Sequence, residues 1–467
     1  LNVHEKLESF ILDKVPNWMS KYKIPGFSIA VVEDDNVIFA EGFGARNVEL
    51  NLPATPNTLY GVGSITKSFV AIGILQLVEK GLISLDDPAN KYIPLKLGFE
   101  DAPITIHHLL THSSGIPSLG TSTIALLRGI GLNIGIPFSS TEDFYRHINN
   151  AGSEVVCKPG IRFFYLNAGY RMLGHIIQKV SGISFHEYVD KNILKPIKMY
   201  RSTFSKEEFE KDPDRITPYR RGKNGKLIAT DFPYPEVKLN PEFSFIAAAG
   251  GLISSVMELA NYIKMNVNDG VFDDMRILGS DLIKSMRNIY VELPRRHFGR
   301  CGYGYGWRII EDFFGEKMVV HGGSILVSTA FLGFIPSRRI GVAMASNIVG
   351  FPYEALAQAI FAILMGKKPE SDLPLIKIMR KMELLTGRYE SYRGLSKVDV
   401  VNRGGLLYLI QKSPFGEVTV PLIPEDDDLK TNRFYIWSNG VRQPVEFMIG
   451  ENGKIDLFIE RNRYHKV

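Results

Sequence analysis

Residues 58–81, TLYGVGSITKSFVAIGILQLVEKG, decide how the rest of the chain is read, and their centre is Ser64-Ile65-Thr66-Lys67. Residues three apart on a helix share a face, with Cβ atoms roughly 5–6 Å apart, so the Ser64 hydroxyl and the Lys67 amine stand within reach of proton exchange. That pairs a nucleophile with its base. The face continues through Val70, Ala71 and Ile74, and the helix stays apolar up to Gly81, the residue expected just past its end. A helix of this kind is buried, and keeping a lysine in it is costly. To act as a base Lys67 must be neutral, which from a free pKa of about 10.4 costs about 4.6 kcal/mol at pH 7. Loss of water supplies shifts of that size, and the helix amino terminus favours negative charge developing on Ser64.

The tetrad alone is a cheap pattern. Ser20-Lys21-Tyr22-Lys23 has the same form with nothing around it to recommend it, and Tyr-x-Asn/Ser recurs at Tyr200-Arg201-Ser202 and Tyr389-Glu390-Ser391. Context carries the weight. Upstream, residues 1–26 alternate charge and apolar residues at helical spacing, which predicts a first amphipathic helix and lacks the apolar core of a signal peptide. Residues 27–50 hold two apolar runs around Glu33-Asp34-Asp35-Asn36, a predicted hairpin.

Downstream, ITIHHLLTHSSGIP ends a short helix at Gly115 and Pro117. His108 and His112 have the i, i+4 step of many metal sites, but neither a third ligand nor an intervening glutamate accompanies them, so His107, His108 and His112 are read as packing and capping residues. Residues 119–138 are apolar and Gly-rich, too broken for a membrane helix; they predict a packed helix and loop, with a lid or an oligomer contact as the functional alternative. In CKPGIRFFYLN, residues 157–167, Tyr165 and Asn167 alternate and so point the same way in an extended segment, ahead of a helix over 168–180. Residues 201–245 are polar and Pro-rich, an expected surface excursion. In AAAGGLISSVMELANYIKM, Ser254 or Ser255 is placed to cap the next helix with Glu258 in its first turn. Strand patterns follow at 303–310, 317–336 and 340–347, then an apolar helix over 353–364.

Composition bounds the function. With 467 residues, 45% hydrophobic and 22% charged, the chain is globular and long enough for more than one domain. Its net charge of +5 is spread among acids, so no nucleic-acid footprint is read, and no apolar run is long enough to span a membrane. The two cysteines, Cys157 and Cys301, do not make a secreted disulfide framework, which favours a reduced, cytoplasmic setting. Five glutamines in all lean towards heat adaptation. Residues 366–372, GKKPESD, break the composition, and beyond them short strand patterns joined by Asn-Gly and Gly-rich turns predict an antiparallel barrel or sandwich.

Six segments in order, LYGVGSITKSFVA, ITIHHLLTHSSGIP, KPGIRFFYLNAGYRMLGHIIQKVSG, AAGGLISSVMELANYI, YGYGW and HGGSILVSTAFLGFIPSRRIGVAMASN, give the chain its resemblance to the serine β-lactamase and penicillin-binding-protein superfamily, in its class C β-lactamase, esterase and D-aminopeptidase (CubicO-like) branch. The resemblance implies an α+β fold: residues 1–366 as a β-lactamase-like domain, an antiparallel sheet flanked by helices with an inserted helical lobe, and residues 373–467 as a lipocalin-like barrel. It implies Ser64 as nucleophile, Lys67 as base or proton relay, Tyr165 as its partner and Asn167 as a substrate-orienting donor, with the amides of Ser64 and Ser324 as the oxyanion hole. Whether Lys67 or Tyr165 carries the proton stays open, since the two one-proton states have equal charge. His321-Gly322-Gly323 stands where the family has Lys-Thr-Gly, so a histidine replaces the cation, in a pKa range suited to proton transfer. The implied activity is a peptidase on short, D-residue-containing peptides, with carboxylesterase, weak β-lactamase or a non-catalytic penicillin-binding protein as alternatives. No metal or cofactor is expected, and the barrel or segment 119–138 is the expected contact of a homo-oligomer.

Overall fold

In the computed structural model, which describes residues 2–132, 134–233 and 241–467, the chain divides into two compact units, Leu1–Ala357 and Gln358–Val467. The first unit begins with the expected amphipathic helix, Val3–Tyr22. Asn2 caps it in a reciprocal pair with Glu5, and Leu7, Ile11, Val15 and Met19 bury one stripe. The hairpin follows as strands Gly26–Glu33 and Asn36–Asn47.

These strands join an antiparallel sheet of nine strands among the described residues. Its order is Val291–Arg296, Gly299–Tyr303, Arg308–Phe313, Glu316–Ser324, Thr329–Ile335, Ile340–Ser346, Gly26–Glu33, Asn36–Asn47, Leu52–Pro53. Late and early sequence therefore meet in mid-sheet, with Phe27 opposite Ser346 and Glu33 opposite Ile340. The strands at this junction are continuous apolar runs rather than alternating ones, because both faces of the sheet are covered. Helix Val256–Val267 packs on one of them, capped as expected by Ser255, whose Oγ accepts from Glu258 N at 3.2 Å.

Between hairpin and late strands lies the helical lobe, including Ile106–Leu110, Thr121–Gly129, Thr141–Asn149 and Asn167–Ser181. Helix Thr66–Glu79 runs through the core with every residue from Thr66 to Leu77 buried. Gly81 follows it at φ +68°, the left-handed stop its position predicts.

Two expectations need correction. YGYGW is the turn between strands Gly299–Tyr303 and Arg308–Phe313, not part of one strand over 303–310; Gly306, at φ +75°, forces the reversal. The surface excursion expected over 201–245 ends early: Pro241–Ala249 is a 3-10 helix whose Phe243, Phe245 and Ile246 enter the core. Polar flanks hid this apolar stretch, and residues 234–240 lie outside the described residues.

In the second unit eight sequential strands from Gly387–Ser391 to Asn462–Lys466 close into an antiparallel barrel, the last pairing with the first through Tyr389 and Lys466. Alternation drives the closure: Val398 and Val400, Leu407 and Leu409, Val445 and Phe447 point inward and fill the interior, together with Leu385. The Asn439-Gly440 turn has φ of 49° and 80°, the two left-handed residues that a two-residue hairpin loop requires.

Candidate active site

Ser64 sits in a 3-10 turn, Gly63–Ile65, that runs directly into helix Thr66–Glu79. The turn is pinned from both ends. Thr66 Oγ1 donates to Gly63 O at 2.7 Å and accepts from Leu252 N at 3.1 Å, and Val62 N donates to Leu252 O at 3.0 Å. Against the turn lies strand Glu316–Ser324. A Cβ on Gly63 would stand 2.4 Å from Ser324 N, and one on Gly323 would stand 1.9 Å from Val62 O and 3.0 Å from Ser64 N. The two backbones touch where only glycine fits, which sets Ser324 N close to the Gly63–Ser64 turn.

Lys67 is fully buried. Its Nζ is 2.6 Å from Ala249 O, 2.7 Å from Asn167 Oδ1 and 3.0 Å from Ser64 Oγ. Burial, and then the Arg171 cation, hold it well below its ordinary pKa, which favours the neutral amine. A neutral amine has two hydrogens and one lone pair. In that form Ala249 O and Asn167 Oδ1, both acceptors, can take the two hydrogens, with the lone pair then directed at Ser64 Oγ.

Tyr165 also reaches Ser64 through its hydroxyl, and burial raises its pKa above that of free tyrosine, against the opposing influence of Ser64 and Arg308. The two shifts run the same way, lysine down and tyrosine up, which favours lysine free base with phenol. Asn167 is the first residue of its helix rather than part of the extended segment, yet it still reaches Lys67, two residues beyond Tyr165. The wall behind Tyr165 is aromatic. His112, buried, has its ring centroid 4.3 Å from that of Tyr165, and its Nδ1 accepts from Leu166 N at 3.0 Å. His108 accepts from Thr105 N in a helix cap and His107 meets the Tyr305 hydroxyl at 2.8 Å, so the three histidines serve separate local contacts.

His321 is beside the site, its ring centroid 6.3 Å from that of Tyr165. Nδ1 lies 2.6 Å from Gly322 O, which can only accept, so Nδ1 carries the proton and Nε2 accepts from the Tyr303 hydroxyl at 2.9 Å. Burial, as the main cause, pulls its pKa down to about 3. Desolvation thus opposes the residue's intrinsic range and disfavours a charged imidazole in the place of the family's lysine. Gly322 and Ser324 are exposed at the rim.

A cleft of about 100 Å³ opens beside Ser64, lined among others by Ser122, Ala125, Leu126, Asn167, Arg171 and Ser324. Helix Thr121–Gly129, within the apolar segment 119–138, thus supplies a wall of the site. Sequence reasoning missed Ala249, whose contribution is a carbonyl, Tyr303, and Arg171. Only Arg171 left a signal, as a lone charge among buried residues one turn beyond Asn167. Among the described residues no group of three or more histidine, cysteine or carboxylate side chains is arranged to hold a metal, and Cys157 and Cys301 are free thiols.

A serine in contact with a buried lysine and a tyrosine, on a helix packed against an antiparallel sheet, defines the β-lactamase and penicillin-binding-protein class, and the β-lactamase family model matches residues 11–365; the chain belongs to that family. Residues 369–465 match the model described as the Pab87 octamerisation domain. Among solved structures, the octameric penicillin-binding protein homologue from Pyrococcus abyssi is 44% identical, with TM-score 0.88 and 99% of both chains covered. Protein flp of Staphylococcus aureus strain MW2 is 29% identical over 71% of this chain, and the chain spans 61% of its length. Penicillin-binding protein 4* of Bacillus subtilis strain 168 is 23% identical over 91% of this chain and 90% of its own length. No helix among the described residues is long and apolar enough to cross a membrane.

Proposed function

We propose that the protein is a serine hydrolase acting through an acyl-enzyme on Ser64, a peptidase on short peptides that include D-residues. The observation that carries this reading is the contact of the buried Lys67 Nζ with Ser64 Oγ at 3.0 Å, with Ala249 O and Asn167 Oδ1 holding the amine from its other sides. In the proposed step the Ser64 proton passes to Nζ as Oγ bonds to the substrate carbonyl carbon, and the carbonyl electrons move to an oxygen facing the amides of Ser64 and Ser324. Collapse breaks the bond to the leaving amine. The amine takes a proton from the Tyr165 phenol as Lys67 ammonium returns one to Tyr165; a water molecule then repeats the sequence on the ester. Asn167, its Oδ1 committed to Lys67, keeps its amide nitrogen for a substrate carbonyl.

Small substrates are supported by a cleft of about 100 Å³. The neutral state of His321 weighs against efficient β-lactam hydrolysis, for it leaves no cation where the family has one. The barrel is read as an assembly module that joins copies into an octamer, as in the Pyrococcus abyssi homologue. Intact-mass analysis after fluorophosphonate treatment tests the chemistry. One adduct, on Ser64, is expected, together with turnover of L- and D-aminoacyl amides in preference to acyl esters; folded protein without an adduct refutes the enzyme reading.

A further inference from the structure

Arg171 is a charged side chain without a charged partner among the described residues. It is 5% exposed and stands one helical turn, about 6 Å along the axis, beyond Asn167. Its Nε donates to Ile246 O at 3.0 Å, its Cζ lies 5.9 Å from the Phe138 ring centroid, and its Nη1 has no hydrogen-bond partner among the described residues. Burial alone pulls its pKa down to about 9, and no carboxylate contributes to its surroundings. A guanidinium offers five N–H donors in a fixed fork that matches a carboxylate, so a buried arginine using one of them is a binding group without its ligand.

The place of Arg171 says which part of a substrate it meets. It lines the same cleft as Ser64 and Asn167, between the apolar walls of Leu126 and Ile246. Tyr165 and His321 do not line that cleft. Since Tyr165 is the proton donor to the leaving group in the reading above, the cleft with Arg171 holds the acyl portion. We propose that Arg171 anchors a carboxylate on the acyl group, two or three methylenes from the carbonyl attacked by Ser64, so that the enzyme selects short acidic acyl chains. The apolar walls accept the methylenes and the guanidinium ends the chain. This inference rests on the acyl-enzyme reading for its orientation, but not for the existence of the anion site.

Two measurements separate the possibilities. Calorimetric titration of the intact protein with glutarate and with glutaramide, which needs no turnover, is expected to show binding of the diacid only, and to lose it in Arg171→Met. Glutaryl p-nitroanilide is expected to exceed its neutral carboxamide isostere in kcat/KM by about tenfold or more, the usual effect of a charge-assisted hydrogen bond, with the ratio falling to within about twofold in Arg171→Met. The ratio cancels any general loss of activity in the variant, and the wild-type titration stands even where the variant fails to fold. Equal heats for glutarate and glutaramide, or equal kcat/KM for the two anilides in the wild type, overturn the anchor. Glutarate binding without any Ser64 adduct would instead remove the acyl-enzyme reading and leave the anion site in place.

Discussion

Replacing Lys67 by Met separates the cost of keeping a base from its use. The side chain is fully buried and its pKa is driven down by desolvation and then by Arg171. In the unfolded chain Lys67 holds its proton up to its ordinary value of 10.5, whereas the folded protein has released it far below that pH. Between the two values the unfolded state binds one more proton than the native state, so wild-type stability rises with pH by about 1.4 kcal/mol per unit relative to a variant lacking the group. Met fills similar volume without a proton to lose. The variant is therefore expected to be the more stable protein near neutrality, offset by the loss of hydrogen bonds to Ala249 and Asn167 at about 1 kcal/mol each. Its advantage shrinks as pH rises, by about 3 kcal/mol over two units. Guanidinium unfolding at two alkaline pH values two units apart and below 10.5, followed by the fluorescence of buried Trp307 beside Tyr262, reads the difference directly. The rate of fluorophosphonate acylation should fall by about 10²–10⁴ in the same variant. A stability gap independent of pH would mean that Lys67 is an ammonium in the fold, and acylation at near wild-type rate would mean that another group takes the Ser64 proton.

His321→Gln is expected to leave the shape of the pH–rate profile unchanged between about pH 5 and 8, since the histidine it replaces stays neutral throughout that range; an acid limb that moves would assign the titration to His321. The barrel carries Phe415, 99% exposed, and Trp437, 55% exposed, and light scattering of the wild type should give about eight times the 52.4 kDa chain mass. Lys at both positions should lower that mass, and a monomeric wild type would refute the assembly role.

The residues legible in the sequence are those whose local neighbours determine them. Ser64 and Lys67 are three apart on one helix, Gly81 ends it at positive φ, Ser255 caps Glu258, and Asn439-Gly440 makes a hairpin turn; each is fixed within a few residues. Tyr165 and Asn167 were read as a pair from alternation, and they do converge on Ser64 and Lys67, although Asn167 has entered a helix by then. What could not be read is what one segment does to another's proton. Ala249 O fixes where Lys67 points its hydrogens from 182 residues away, and its identity as a carbonyl leaves no mark in the sequence. The residue type of His321 suggests a group that titrates near neutrality, whereas the burial around it, which no local pattern reveals, pushes its pKa down. Arg171 combines both problems: its charge is visible, while the absence of a partner exists only once helix Asn167–Ser181 and the Pro241–Ala249 segment are packed around it. The same guanidinium lowers the pKa of Lys67, so a carboxylate bound there would offset part of that effect and make the base stronger in the complex than in the free protein. Substrate recognition and nucleophile activation in this cleft are thereby tied to one charge, at the position where sequence reasoning had no term for it.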